Sequence, residues 1–432
     1  MTEHTSKSSF RSFSKNFWTV IVMEFFERGS YYGVMSVLSV YLVLNANEGG
    51  LGFSKESVGV IKSTITPLLY FLPILSGAIA DRFGYRKTLM FAFIVMSSGY
   101  FLTSMMSSYA FVFASLILMV LGAGFFKPII SGTIARTTDK SNSTLAFGIY
   151  YWSINLGAFI FPLIIIPYLK QFSYSYIFIM AAIGTGWLIV LNLLVYKEPP
   201  KPESAKSIGQ ILTEAALVIK NFRFILMIVI YAGFWVLYFQ QFDTILWYMK
   251  DYVDKTPVNN FVNSILGVFV SNPNWKFDVE HVTVINGGTI ILLQLLVSNI
   301  VKNKKALPTM ITGIALGTIG VGILAISTHP FVFIIGMIIF SIGEMTAHPK
   351  FISYVGLIAP EDKKAVYLGY SFLYGVIGSG IGGILGAKLY VHFVDNLHNP
   401  TMLWLIFAMI GVATIAGLIL YNKFLAPKNV DV

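Results

Sequence analysis

The segment Gly77–Lys87, GAIADRFGYRK, joins two long apolar stretches and gathers basic residues into a short loop. The glycine at its start permits close helix approach, and the aspartate can bond a neighbouring helix terminus. Such basic residues are typical of loops on the cytoplasmic side of a membrane. Spacing alone leaves two interpretations open, a functional loop and an ordinary basic loop. The candidate positions are Gly77, Asp81, Arg82, Gly84, Arg86 and Lys87.

Apolar stretches long enough to cross a bilayer recur along the chain. A transmembrane helix needs about 20 mainly apolar residues, and the 432 residues are 56% hydrophobic and only 12% charged. We therefore predict an all-α membrane protein with twelve transmembrane helices in two six-helix bundles. The predicted spans are 17–43, 58–80, 88–106, 109–135, 145–169, 175–196, 224–249, 281–301, 306–327, 330–358, 365–388 and 400–422.

A polar segment separates the sixth predicted span from the seventh. It opens with KEPPKPESAK, whose prolines and charges are typical of a linker. The next residues, IGQILTEAALVIKN, have apolar side chains at helical spacing and are expected to lie along the membrane surface. The sequence thus predicts an N-terminal bundle at 1–196, a cytoplasmic linker at 197–223 and a C-terminal bundle at 224–432.

The distribution of Lys and Arg predicts the orientation of the chain. If the amino terminus is inside, 20 of the 30 basic residues lie in cytoplasmic segments and 7 in external ones. Because cytoplasmic loops are enriched in these residues, both termini are predicted to be cytoplasmic. Lys62 is counted here among the external residues. The longest external loop, Lys250–Glu280, is expected to be polar and partly disordered.

Composition argues against several classes of function. The chain has no cysteine, which excludes disulfides and thiolate metal sites. Its net charge of +10 is scattered between apolar runs instead of being gathered on a soluble face, so nucleic acid is not an expected partner. The six histidines are not at metal-ligand spacing, and no nucleophile with a base or nucleotide fingerprint is evident. We expect no enzyme activity and no metal.

The first predicted span carries charged residues where hydrocarbon is expected. Each charged residue at the middle of a transmembrane helix costs about 2.5 to 3.5 kcal/mol, so those of MEFFERGSYYG, Met23–Gly33, are predicted to face a wet interior. Spacings of three and four residues place them on one helix face. A purely structural ion pair is the alternative. The residues of this face are Glu24, Glu27, Arg28 and Tyr31, with Tyr32 one turn beyond Arg28.

Lys127, in GAGFFKP of the fourth span, is the predicted partner of these charges. The glycines allow a neighbouring helix to approach, and Pro128 frees a backbone carbonyl that can line a cavity. Two carboxylates, one arginine and one lysine sum to zero charge, so a proton taken by one glutamate unbalances the set and releases a cation. The alternative is that Lys127 extends to a membrane interface.

These motifs resemble those of known transporters. The loop GAIADRFGYRK resembles the loop between helices 2 and 3 of the major facilitator superfamily, which also has six plus six helices. Within it, MEFFERGSYYG, GAGFFKP and YYWSINLG resemble motifs of the first, fourth and fifth helices of the proton-dependent oligopeptide transporter family. GEMTAHP resembles a tenth-helix motif, with His348 where serine is usual. Further matches are Tyr70, Pro73 and Asn286.

The resemblance implies a proton-coupled symporter that takes up di- and tripeptides by alternating access. It implies that Glu24, Glu27 and Lys127 couple protons to transport, while Arg28 and Lys127 attract the peptide carboxylate. The peptide amino terminus is received by Glu344 with Asn155 and Asn286, and the pocket is shaped by Tyr31, Tyr32 and Tyr70. The coupling ion is a proton, with no other cofactor. The implied setting is the lipid bilayer of a bacterial inner (cytoplasmic) membrane, and the implied partners are small peptides and protons. We expect the protein to be a monomer.

The chain departs from the family pattern at the outer gate. The family often pairs an arginine after the first-helix tyrosines with a glutamate of the seventh helix, and these positions are here Met35 and Phe239. We expect the gate to close by packing or through Asp243. Two positions of the tenth helix stay open: His348 is a packing or a functional residue, and Lys350 lies in the cavity or extends to an interface.

Two other functions are compatible with the sequence. The same scaffold could import or export another small zwitterion or a drug, which substrate competition would reveal. A membrane receptor that binds a ligand without moving it would give binding without flux, but it would leave the charges of the first span without an obvious purpose.

Overall fold

The computed structural model describes residues 13–139, 142–200 and 208–427, and the regular secondary structure in these ranges is helical. This confirms the predicted all-α fold. Residues 201–207 of the predicted linker lie outside the described residues, as do the basic residues predicted to be cytoplasmic within 1–12.

Ten helices belong to the half of the chain that precedes residue 220. They are α1 (Lys15–Met35), α2 (Leu38–Val43), α3 (Lys55–Phe83), α4 (Tyr85–Met105), α5 (Tyr109–Thr137), α6 (Ser143–Ile160), α7 (Ile166–Lys170), α8 (Tyr174–Gly186), α9 (Leu188–Leu194) and α10 (Ile208–Ile219). The next nine are α11 (Phe222–Phe239), α12 (Thr244–Asp251), α13 (Thr256–Leu266), α14 (His281–Val301), α15 (Ala306–Ile323), α16 (Pro330–Ile358), α17 (Lys364–Ser371), α18 (Leu373–Tyr390) and α19 (Pro400–Phe424).

Eleven of the described segments are long and apolar enough to cross a membrane, and they coincide with the second to twelfth predicted spans. The first predicted span, 17–43, is two helices, α1 and α2. Helix α1 differs in composition from the other eleven spans because more charged residues fall within its apolar stretch. The surface segment after the linker is helical, as predicted, in α10; its position along the membrane stays a prediction.

Breaks within spans occur where the backbone leaves the regular α-helix. The fifth span passes through a π-helical turn at Phe161–Ile165, which contains Pro162. The seventh passes through a 3₁₀ turn at Gln240–Phe242 to Asp243, whose φ is −136° and ψ −96°. Proline removes a backbone donor, and such irregular turns are tolerated in membranes only where protein or water satisfies the freed groups.

Contacts divide the chain into two units, each with its own core. One contains the described residues of Met1–Val34 and Leu68–Thr213, and the other contains Met35–Pro67 and the described residues of Glu214–Val432. The predicted bundles at 1–196 and 224–432 stay a prediction, and the contact units differ from them at Met35–Pro67. This segment joins the second unit because its polar groups bond residues of the 3₁₀ turn at Gln240–Phe242, of α12 and of α18.

Glycines in the second unit let α15 and α16 approach closely. A Cβ on Gly320 would lie 2.6 Å from the carbonyl oxygen of Gly336 and 2.6 Å from the backbone nitrogen of Phe340. Neither backbone atom can move without shifting its helix, so we expect Gly320→Ala to destabilise the protein by about 1–3 kcal/mol. A lower unfolding temperature in detergent, measured beside Gly356→Ala, checks this, since nothing lies within 4 Å of the corresponding Cβ at Gly356. Equal midpoints for the two variants would contradict it.

The external loop expected to be partly disordered is instead a folded element. It contains helix α13, and the side chain of Asn263 bonds both the backbone nitrogen of Trp275 at 2.8 Å and its carbonyl oxygen at 2.9 Å. The asparagines of this loop form internal hydrogen bonds with its backbone. The expectation of disorder was therefore wrong.

Candidate functional site

The charges of α1 form a compact cluster inside the first unit. Glu24, Glu27 and Arg28 are all buried. Arg28 donates through Nε to Glu27 Oε2 at 2.5 Å and through Nη2 to Glu27 Oε1 at 2.6 Å. Glu24 Oε1 is 3.7 Å from Arg28 Nε. The arginine is thus held by a two-point contact with one carboxylate, while the second carboxylate is held more loosely.

Two tyrosines follow the ion pair along α1, as the spacing predicted. The guanidinium carbon of Arg28 is 4.8 Å from the ring centre of Tyr31 and 5.9 Å from that of Tyr32. Aromatic faces attract such a cation, and more strongly where water is excluded. The residues that sequence analysis placed on one face therefore do lie together.

Lys127 of α5 belongs to the same electrostatic cluster. Its Nζ is 5.4 Å from the ring centre of Tyr70 in α3, and its charge interacts with those of Glu24, Glu27 and Arg28. Lys127 is partly exposed and is not in an ion pair among the described residues. It is therefore a cation available to an anionic group that enters from solvent.

In the second unit, Glu344 of α16 has a defined orientation. Asn286 of α14 donates its Nδ2 to Glu344 Oε2 at 2.9 Å and lies 3.0 Å from the Ser341 hydroxyl. One carboxylate oxygen is engaged by the amide, and the residue is only partly buried. Glu344 and Asn286, which the resemblance linked, are thus in direct contact.

Aromatic rings surround His348, one turn after Glu344. Its ring centre lies 5.3 Å from that of Trp235 and 5.6 Å from that of Tyr374, with Phe351 stacked at 6.5 Å. Its Nδ1 is 3.5 Å from the Tyr231 hydroxyl. The imidazole therefore packs within an aromatic cluster, which agrees with the packing alternative.

Asn155 and Lys350 make local contacts. Asn155 donates its side-chain amide to the Tyr151 carbonyl oxygen of its own helix at 2.9 Å. Lys350 donates to the carbonyl oxygens of Lys302, at 3.4 Å, and Lys304, at 2.6 Å, just beyond the end of α14. It therefore binds the terminus of a neighbouring helix.

Lys62 is the residue that sequence analysis missed. It was counted as external, but it is buried in α3, and its Nζ lies 3.2 Å from Asp243 Oδ1 and 3.6 Å from Met35 Sδ. The exposed fraction is 4% for the Lys62 side chain and 5% for Asp243. Lys62 falls within the predicted span 58–80, and this position was the signal that marked it as buried. That Asp243 helps to close the outer gate stays a prediction. The structure supplies Lys62 as its ion-pair partner.

Neighbouring hydrogen bonds hold the same region together. The Ser39 hydroxyl donates to the Phe242 carbonyl oxygen at 2.8 Å, and Trp247 Nε1 donates to the Ser39 carbonyl oxygen at 3.0 Å. The Ile384 nitrogen donates to the Ser63 hydroxyl at 2.8 Å. We call this set of contacts, with Lys62 and Asp243, the outer junction.

The cytoplasmic loop motif is held by charged residues from other helices. Asp81 pairs with Arg136 at the end of α5, at 2.5 Å. The carboxylate of Glu198 accepts hydrogen bonds from the backbone nitrogens of Tyr85, at 2.6 Å, and Arg86, at 2.7 Å, and so caps α4. Asp81 thus bonds a residue in the last turn of a neighbouring helix, as expected, while Glu198 bonds the first turn of α4.

The remaining motif positions differ in role. Gly84 has a φ of 100°, which a side chain rarely adopts, so glycine is required at this turn. Arg86 donates to the carbonyl oxygens of Asn192, at 3.1 Å, and Leu193. Arg82 and Lys87 are exposed, as expected for basic residues of a cytoplasmic loop. A Cβ on Gly77 would lie 3.6 Å from Pro128 Cβ, so α3 and α5 are close there.

Comparisons with known proteins place these features in context. A stretch of 274 residues is 29% identical to the di-/tripeptide transporter of Lactococcus lactis subsp. lactis (strain IL1403), covering 58% of this chain and 50% of that protein. A stretch of 184 residues is 32% identical to dipeptide and tripeptide permease B of Aliivibrio fischeri (strain MJ11), covering 41% of this chain and 36% of that protein. The matches therefore span about half or less of the length of these relatives.

The fold extends the likeness over nearly the whole chain. A crystal structure of a peptide transporter in complex with sulfate has a TM-score of 0.76 and 21% sequence identity, covering 96% of this chain and 95% of that one. The family model described as Major Facilitator Superfamily matches residues 18–383. This agrees with the predicted architecture of a transporter and not of an enzyme. The chain belongs to the major facilitator superfamily.

Proposed function

We propose that the chain is a proton-coupled symporter that takes up di- and tripeptides by alternating access. The observation that carries the proposal is the buried cluster of α1 with Lys127: two carboxylates and two cations in one unit, of which one carboxylate and one cation are loosely held. The similarity to di-/tripeptide transporters supports the substrate class.

The geometry supports a division of work between the two glutamates. Glu27 is occupied by the two-point contact with Arg28, whereas the Glu24 oxygen nearest to Arg28 is 3.7 Å away. A buried carboxylate that is weakly paired accepts a proton at the smallest electrostatic cost. Protonation of Glu24 removes one negative charge from the cluster, so the two cations attract an incoming carboxylate more strongly. This links the binding of a proton to the binding of a peptide.

Each end of a peptide zwitterion has a chemically suitable group. Lys127, the cation outside the described ion pairs, attracts the carboxylate together with Arg28, and Glu344 receives the ammonium group with Asn286. Both contacts are charge-assisted hydrogen bonds, which are stronger than neutral ones. Because such recognition uses groups common to all peptides, it tolerates many side chains.

Uptake of a labelled dipeptide into proteoliposomes tests the proposal. We expect a gradient that is acid outside to drive accumulation, and unlabelled di- and tripeptides to compete. A lack of stimulation by the gradient together with a lack of competition would defeat the proposal. Competition by another zwitterion but not by peptides would favour the second candidate function, transport of another small zwitterion or a drug. The observation that motivates this alternative is His348, which stands where the family usually has serine. Binding without flux would favour a receptor.

Loss of the Glu344 charge is expected to weaken binding at the peptide amino terminus. In Glu344→Gln the carboxylate that faces the ammonium becomes neutral, and a hydrogen bond to a charged group is worth about 1.5–3 kcal/mol. We expect the KM for a dipeptide to rise by about 10- to 100-fold. The exposed carboxylate of Glu361 offers a matched control in Glu361→Gln. An N-acetylated dipeptide has no ammonium group, so it should compete with the labelled substrate equally well in Glu344→Gln and in the wild type. A difference between these two proteins in that competition would contradict the assignment.

The setting of the protein is also proposed. Both termini are cytoplasmic, the membrane is the inner membrane, and the protein acts as a monomer with a proton as its coupling ion. The excess of Lys and Arg in alternate loops supports this orientation, although Lys62 no longer counts as external. Twenty basic residues then lie inside and six outside, counting from the sequence.

A further inference from the structure

The loop between α12 and α14 is built as a rigid projection. Asn259 accepts a hydrogen bond through its side-chain oxygen from the Phe277 nitrogen at 2.7 Å, and Asn263 bonds both backbone groups of Trp275. Lys255 pairs with Asp278 at 2.9 Å. One side of α13 is therefore fastened to the returning chain, and the turn between them, residues 267–274, is held in place.

Large apolar side chains are exposed on this projection. Phe261 and Ile265 lie one turn apart on α13 and are both exposed, while Val258 of the same helix is buried. Beyond the helix, Val268 is 78% exposed and Phe269 is 80% exposed. The polar residues Asn260 and Ser264 are on another face of the helix. We call Phe261, Ile265 and residues 268–270 the apolar ridge.

The apolar ridge is continuous with the surface of a membrane span. The ring centre of Phe261 lies 6.0 Å from that of Phe331, in the first turn of α16. One turn further along that span, Ile335 is 51% exposed, as expected for a side chain that faces lipid. The loops that join the seventh to the eighth span and the ninth to the tenth span lie on the same side of the membrane. The ridge thus extends from the end of a lipid-facing helix surface.

The charge of the segment is compatible with a lipid surface. Between residues 256 and 277 the sequence has no Asp or Glu and a single basic residue, Lys276. Trp275, which stacks near Phe277 at 6.2 Å, is partly exposed at the base of the turn. Tryptophan is enriched where a membrane meets water, and a helix with one apolar and one polar face can lie in the interface plane.

We propose that the apolar ridge is a lipid-docking surface, which inserts into the headgroup and acyl boundary of the leaflet next to the loop. Its occupant is the bilayer of the same membrane. Burial of the exposed side chains removes apolar surface from water, which is favourable. Docking fixes the position of this loop relative to the membrane. Because the loop follows α12, docking also fixes the position of α12 and of Asp243 at its start. The proposal does not depend on which solute is transported.

Site-directed spin labelling tests this, and the absence of native cysteine makes each label unique. The purified full chain carrying Phe269→Cys or Asn260→Cys is labelled with a nitroxide and placed in vesicles of phosphatidylethanolamine and phosphatidylglycerol. Collision with oxygen, which concentrates in lipid, is compared with collision with a water-soluble nickel complex. We expect the label at residue 269 to meet mainly oxygen and the label at residue 260 to meet mainly nickel. Asn274→Cys, in the same turn, is a second water-facing control.

Three results would overturn the proposal. Equal access of nickel to the labels at residues 269 and 260 would place the ridge in water. Protection of residue 269 that disappears when the protein is diluted in the vesicles would identify a second copy of the chain as the occupant. Protection of residue 269 from nickel that persists in detergent micelles after lipid removal, with spin–spin broadening between labels, would also identify a second copy of the chain as the occupant. Ile265→Cys should behave like Phe269→Cys, which guards against a defect caused by one substitution.

Discussion

Glu27→Gln is expected to abolish gradient-driven dipeptide uptake while leaving the protein folded. Arg28 is buried and makes its two-point contact with Glu27. Removing one member of a buried ion pair costs about 3–5 kcal/mol, because the other charge is left uncompensated. Arg28 will then hold Glu24, its remaining partner, in the charged form. The carboxylate proposed to exchange protons is thereby locked, so concentrative uptake should fall to the level of empty liposomes.

The companion variant Lys127→Ala tests the other side of the same cluster. Without this cation, protonation of Glu24 no longer releases a free positive charge toward the substrate, and concentrative uptake should again be lost. Helical content and elution volume in detergent should match those of the wild type. Glu56→Gln, which changes an exposed carboxylate near the start of α3, should transport normally. Wild-type concentrative rates in Glu27→Gln or in Lys127→Ala would refute the roles proposed for these residues.

Breaking the Lys62–Asp243 pair is expected to open the outer junction. In Lys62→Met the carboxylate of Asp243 stays buried without its cation, a change worth about 3 kcal/mol or more. The state in which Met35–Pro67 is bonded to α12 and α18 should therefore lose about 100-fold in relative population. A single cysteine introduced by Ser39→Cys, reacted with a membrane-impermeant maleimide, reports this as faster labelling from the outside.

Two further variants separate pairing from simple damage. Lys62→Met combined with Asp243→Leu replaces the buried pair by apolar side chains, which is often neutral or stabilising, so slow labelling should return. Lys55→Met breaks the more exposed Lys55–Asp395 pair, 2.7 Å long, on the same segment. Such pairs contribute about 0–1 kcal/mol, so labelling should change little. Equal labelling in Lys62→Met and the wild type, or failure of the double variant to restore it, would show that the pair does not hold the junction closed.

The position of the charges on α1 could be predicted because it depends on helix geometry alone. Once a stretch is helical, spacings of three and four residues place Glu24, Glu27 and Tyr31 on one face. Which carboxylate Arg28 prefers could not be predicted in this way. Both glutamates are within reach of the guanidinium, and side-chain rotamers select Glu27 for the two-point contact.

The outer junction was beyond sequence analysis for a different reason. Lys62 and Asp243 are 181 positions apart in the chain, and no local pattern joins them. The two charges do not stand at the positions of the family's gate pair, which are Met35 and Phe239 here. The ammonium of Lys62 lies beside Met35, and Asp243 follows Phe239 by one turn in the sequence. The loop before α14 is similar, since its asparagines bond backbone groups 12 and 18 residues away.

The sequence by itself determined eleven of the twelve predicted spans, most of their ends and the charged residues of α1 that are buried. These follow from the length of each apolar run relative to the bilayer and from the period of the helix, which are local properties. The tertiary structure alone decided the partners of Arg28, Lys62 and Glu344 and the folding of the external loop. Those depend on side chains brought together from distant positions, where burial makes each ion pair or hydrogen bond strong enough to select one arrangement.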